Sequence, residues 1–195
     1  MKHRGRPTVH AETTIINRAQ KVFWEKGYTA TSLSDLLEAS GSGSGSFYNT
    51  FRGGKKEVFS KSIQQRRDAF AAFKKQTEET ERPVELIKNF FRGIANEPET
   101  EHKKGCIIAN TLVEMTFIDA ELEAEASKIL KEVEQMFVTC IAYEQENRTL
   151  KTNISALLLG RQLITFWCGL NSLRRMYPDK NILSEQIELQ LAILS

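Results

Sequence analysis

Apolar positions recur at helical spacing along nearly the whole chain. Ile15, Ile16, Ala19, Val22 and Phe23 share one face of a helix predicted from about Glu12 to Lys26, with Gly27 as its stop signal. Leu33, Leu36 and Leu37 mark a short second helix. Thr31 or Ser32 caps it, Asp35 stands three residues after Ser32 as a capping-box partner, and Gly41 ends it. A third short helix, from Gly43 or Ser44 to Asn49, is anchored by Phe47 and Phe51, four residues apart. A long fourth helix starts near Lys55 and carries Val58, Phe59, Ile63, Phe70 and Phe73.

The polar stretch 77–82 reads as a loop, and Pro83 suits the first turn of a fifth helix with Leu86, Ile87, Phe90, Phe91 and Ile94. Asn96 to Lys104, with Pro98 and alternating charge, reads as another loop. Gly105 to Phe117 is an apolar helix with Glu114 in its middle. Asp119 caps the next helix, which runs to about Glu146. Asn153 to about Met176 is a strongly apolar helix, Pro178 marks a loop, and Ser184 caps a last helix. No segment alternates with period two for long enough to make a strand. The pattern predicts an all-α protein. Residues 1–54 form a basic arm and a helix-turn-helix head, and residues 55–195 form a helical body.

The run Ser40 to Ser46, SGSGSGS, has the composition of a flexible linker. The aromatic residues directly after it favour a folded third helix instead. Each glycine weakens that helix by about 0.8–1 kcal/mol relative to Ala, so it is expected to gain order on binding. Two short helices joined by a glycine turn behind a longer amphipathic one make a helix-turn-helix, which lays one helix in the DNA major groove.

Charge sharpens this picture. The net charge is only +2, but residues 1–67 hold 12 Lys/Arg against 5 Asp/Glu, and residues 68–195 hold 15 against 20. A basic head on an acidic body points to a polyanion partner at one end. Hydrophobic content of 41% and charged content of 27% exclude disorder as the main state. No apolar run reaches the roughly 18–20 residues that cross a bilayer, and no export signal is evident. Cys106, Cys140 and Cys168 form no CxxC pair, which fits reduced thiols in a cytoplasmic protein and neither a disulfide nor a metal framework. The histidines, His3, His10 and His102, sit in the arm or a loop, and no nucleophile, metalloprotease or phosphate-loop motif appears. No enzyme, cofactor or metal site is expected.

Residues 12–59 resemble the TetR/AcrR transcriptional repressors. The likeness rests on Phe23-x-x-x-Gly27-Tyr28, Thr31-Ser32, Asp35-Leu36, Gly41, Gly45-Ser46-Phe47-Tyr48-Asn49-x-Phe51, and then Lys55 and Phe59. Gly105 to Asn110 with Glu114 resembles the sixth helix of many members, and Gly169-Leu170 resembles their dimerisation region. Ser44 stands where the family commonly has a basic residue. The turn after Phe51 is one residue longer than usual, which leaves Lys55 or Lys56 to take the family's phosphate-contacting place.

The resemblance implies a ligand-responsive repressor that binds a palindromic DNA operator as a homodimer and is released by a small-molecule inducer. Thr31 and Ser32 would offer hydroxyl and N–H groups to a phosphate. Tyr48 and Asn49 would contact phosphates, and the small Gly43, Ser44, Gly45 and Ser46 would let the third helix approach base edges. Arg4 and Arg6 form either a minor-groove arm or a solubilising tail. Leu159, Leu163, Phe166, Leu170, Ile187 and Leu191 are the expected dimer contacts, from two helices per copy.

A ligand cavity between the body helices would be lined by Phe91, Met115, Phe117, Met136, Tyr143 and Trp167. Glu114 would meet a cationic or hydroxylated ligand, pair with Arg161, or cap a backbone group. Cys106 would be a sensing thiol or an inert buried one. A helical protein-interaction adaptor without a DNA role is the alternative reading.

Overall fold

The structure, a computed structural model, describes residues 9–177 and 179–195, with side chains from residue 12 onward. The arm with Arg4 and Arg6, and Pro178, lie outside the described residues. Helix α1 spans Val9–Ala30, α2 Leu33–Ser40, α3 Ser44–Thr50 and α4 Gly54–Glu78. They are followed by α5 Pro83–Ile94, α6 Glu99–Lys104, α7 Ile107–Met115, α8 Ala120–Glu146, α9 Ala156–Leu173 and α10 Lys180–Leu191, and a 3-10 turn at Ala192–Leu194. No strand occurs among the described residues, so the chain is all-α.

Most helix ends follow local chemistry. The Ser32–Asp35 capping box opens α2 as the sequence predicts. Pro83 sits in the first turn of α5, and the Asp119 carboxylate accepts the Glu121 and Leu122 amides at the start of α8. Two expectations are corrected. The stretch from Asn96 to Lys104, which the sequence predicts as a loop, contains α6. There Glu99 and Glu101 occupy the first turn and His102, Lys103 and Lys104 the last, a charge order that suits the helix dipole. The last helix starts at Lys180, capped by Asp179 rather than Ser184, because the Asp179 carboxylate reaches the Asn181 and Ile182 amides first.

Two hydrophobic cores form. One joins Phe23 of α1, Leu36 of α2, Phe47 of α3 and Phe59 of α4 to Ile107, Ile108 and Met115 of α7 and to Leu122, Ala126 and Ile129 of α8. The other joins Phe91 of α5, Phe137 and Ile141 of α8, Leu159, Leu163 and Leu170 of α9, and Leu183, Ile187 and Leu191 of α10. The head therefore rests on α7 and the first half of α8, and α8 runs through both cores. Gly160 permits the close crossing of α8 and α9. A Cβ there would lie 2.4 Å from Val138 Cγ2 and about as near to the α8 backbone as 3.2 Å.

Candidate nucleic-acid interface

Helix α3 is a short probe on an aromatic footing. Phe47 and Phe51 are fully buried with ring centroids 5.3 Å apart. Gly43 at its N-cap and Ser44, Gly45 and Ser46 in its first turn are all exposed, and nothing lies within 4 Å of a Cβ added at Gly43 or Gly45. The tip is thus folded, outward and bare of large side chains. Tyr48 is half in contact, 45% exposed, with its ring edge-on to Phe47 at 5.8 Å. Asn49 beside it is exposed.

Three of the expected phosphate contacts are placed differently. Thr31 is buried, and its hydroxyl donates to the Gly27 carbonyl at 2.6 Å, so it is spent on the loop between α1 and α2. Lys55 turns inward. Its ammonium donates to the Tyr28 and Thr31 carbonyls at 2.9 and 2.8 Å and lies 4.3 Å from the Tyr28 ring centroid, and burial pulls its pKa below the usual lysine value. Lys56 pairs with Asp119 at 2.8 Å and Glu121 at 2.6 Å, which raises its pKa and ties the head to α8. Neither lysine is left with a free ammonium. Ser32 stays exposed, but its hydroxyl is engaged with Asp35.

Two other cations flank the tip. Arg18 on α1 reaches the α2–α3 turn, where its Nη1 donates to the Ser40 carbonyl at 3.4 Å. Arg52 follows Phe51 directly and is exposed. No carboxylate pairs with either among the described residues. Arg52 was legible as a basic residue abutting the motif; Arg18 was not, because its place beside the turn depends on how α1 packs.

The head is held to the body by a carboxylate. Glu114 of α7 accepts the Tyr28 amide at 2.9 Å and the Thr29 amide at 2.6 Å. Gly27 makes room for it. Its backbone is non-helical (φ 79°, ψ 172°), and a Cβ there would lie 3.1 Å from Glu114 Oε2. Of the three roles open to Glu114, backbone capping is the one observed; Arg161 pairs with Glu134 instead.

The expected ligand-lining residues converge only in part. Phe91 and Trp167 lie with ring centroids 6.2 Å apart in the core that also holds Met136, and Met115 is buried in the other core. Phe117 is 102% exposed, because the chain turns there with positive φ (67°) after α7 ends. Met136 and Tyr143 do share a cavity of about 260 Å³ with Thr77 and Cys140. Cys106 is half-buried at the N-cap of α7, and the Cys168 thiol is pushed up to about 11 by burial.

Five of the expected dimer contacts are corrected. Leu159, Leu163, Leu170, Ile187 and Leu191 are buried in the protomer's own core, and Phe166 is half-buried and stacks on Phe91 at 5.4 Å. The apolar surface of α9 and α10 left open is Leu157, Leu158, Leu173, Ile182 and Leu189. Among the described residues no helix is long and apolar enough to cross a membrane, and no cluster of three or more His, Cys, Asp or Glu fits a metal.

Comparison with known proteins agrees with this architecture. Residues 15–61 match the family model of bacterial regulatory proteins, tetR family, and residues 81–188 match that of the tetracyclin repressor-like C-terminal domain. The HTH-type transcriptional repressor DhaR of Mycobacterium sp. (strain GP1) is 28% identical over 172 residues, covering 86% of this chain and 82% of its own. A TetR regulatory protein from Rhodobacter sphaeroides superposes with a TM-score of 0.81 at 19% identity, over 95% of this chain and 99% of that one. The reduced form of E. coli NemR gives 0.81 at 16% identity over 95% and 97%. At those identities the two structures speak for the fold alone. The chain belongs to the TetR family of bacterial regulatory proteins, DNA-binding transcriptional regulators rather than enzymes.

Proposed function

We propose that the protein is a repressor that binds a palindromic operator as a homodimer and leaves it when a small molecule binds the body. The observation that carries this reading is the exposed Gly43–Ser46 tip seated on buried Phe47 and Phe51. Small side chains let the helix backbone approach base edges, where Ser44 and Ser46 hydroxyls can donate or accept. Tyr48, Asn49, Arg18 and Arg52 would neutralise or position phosphates around it. Ser32 would contribute the exposed start of α2.

One head reads a half-site of a few base pairs, so a second copy is needed for selective recognition. The open leucine and isoleucine surface of α9 and α10 suits that role, and pairing two copies there gives a four-helix contact. DhaR is itself described as a transcriptional repressor, which supports the direction of regulation. Mobility shifts and footprinting with a selected DNA pool test the proposal. The expected result is a two-fold symmetric footprint whose affinity falls steeply with salt. Binding without sequence preference at every salt concentration would instead favour a helical interaction adaptor.

A further inference from the structure

A groove of about 820 Å³ runs between α7, α8 and α9. Its wall is apolar at Ala109, Leu112, Leu130 and Ile164, and Glu114 and Arg175 are its two charged lining residues. They differ in how their charge is used. Both Glu114 oxygens accept head amides. Arg175 has no hydrogen bond or ion pair among the described residues, although the neighbouring Arg174 pairs with Glu97 and Arg161 with Glu134. Asn110, Glu114 and Arg175 also line a smaller cavity of about 200 Å³ with Trp24, Gly27 and Tyr28, so the groove adjoins a second space beneath the kink in α1.

An apolar wall that ends in an unpaired guanidinium is complementary to a carboxylate with an apolar tail. The tail gains from leaving water, and the planar guanidinium fork matches a carboxylate in two hydrogen bonds. We propose that this groove binds a small organic carboxylate, with its apolar tail along α7 and α8 and its carboxylate on Arg175. Glu114 and Arg175 line the same groove, so the ligand brings negative charge into the space whose own carboxylate holds Tyr28 and Thr29; this weakens that hold, and occupancy loosens the head. This last step rests on the DNA-binding reading above; the binding itself does not.

The test titrates the full chain with decanoate and with decylammonium at one ionic strength, by calorimetry. Decanoate should bind, and decylammonium should bind about tenfold more weakly or not at all. Arg175→Gln should weaken decanoate about tenfold or more. Val113→Glu should do the same by placing a carboxylate at the groove's rim. Val113 is 79% exposed, so this variant decides the matter even where Arg175→Gln folds poorly. Absent decanoate binding, equal binding of decylammonium, or full decanoate affinity in Val113→Glu overturns the proposal. Mobility shifts run in parallel separate the two readings. DNA binding without decanoate binding removes only the groove, and decanoate binding without selective DNA binding removes only the regulator.

Discussion

A carboxylate inside an apolar helix is costly unless it is satisfied, and Glu114 is satisfied by two amides of the head. Glu114→Ala should lower stability by about 1–3 kcal/mol and speed hydrogen exchange at Tyr28 and Thr29. Unchanged protection at those two amides would show that the carboxylate does not hold them. Asp35 is a second informative acid. The Lys26 ammonium, followed by the Ser32 amide and hydroxyl, lowers its pKa from 3.8 to about 2. Because the folded value is the lower one, the capping contribution is complete above the ordinary pKa and is lost as pH falls through about 2. An NMR titration of the Asp35 carboxyl should show this midpoint, and Lys26→Met should move it toward 3.8. Arg52→Gln should cut the salt dependence of DNA binding by about one phosphate contact, a slope change of about 0.9. An identical slope would remove Arg52 from the interface. The Ser32–Asp35 box was legible in the sequence because its parts are three residues apart; the Glu114 partners lie 86 and 85 residues away, which no local pattern encodes.

Helix α3 is seven residues long with a glycine inside it, too short to be stable without tertiary support. Its support is the burial of Phe47 and Phe51, so Phe47→Ala should cost about 3–5 kcal/mol and abolish operator binding. Gly45→Ala should raise the melting temperature, because the added methyl meets nothing within 4 Å and restricts the unfolded chain. Operator affinity should fall in the same variant if the backbone lies close to the groove floor; affinity equal to that of the parent would place the tip further out. The phenylalanine spacing made this element readable despite its linker-like composition. Helix α6 was not readable in the same way. It has no apolar stripe and rests on pairs such as Lys103–Glu99 at 2.7 Å, so a period-based reading sees only a charged stretch after Pro98.

Apolarity around most of α9 foretold burial on several sides, but not which side faces the protomer. Packing against α8 within the shared core takes Leu159, Leu163 and Leu170, and leaves Leu158 on α9 and Leu189 on α10 open, the latter 74% exposed. The two open surfaces adjoin the Gln162–Gln190 hydrogen bond at 3.3 Å. Leu158→Arg with Leu189→Glu should therefore give folded monomers by light scattering, with selective DNA binding lost. Leu163→Ala should act oppositely, costing about 2–5 kcal/mol of stability while the copies stay paired. Dimers that survive the double substitution would move the interface elsewhere on the molecule.

Most helix positions (α6 and the start of α10 apart), the capping box of α2 and the aromatic footing of α3 follow from neighbours within a turn or two, and the basic bias of the first third from composition, so the linear order of residues suffices to reveal them. The assignment of Lys55 and Lys56 to internal contacts, the grip of Glu114 on the head and the choice of which α9 face stays open arise from contacts between elements distant in the chain. Those contacts exist only after packing, with Lys55 set against the turn between α1 and α2, Lys56 and Glu114 across the junction of the head with α7 and α8, and α9 against α8, because each depends on the distance between charged or apolar groups that the chain brings together by folding.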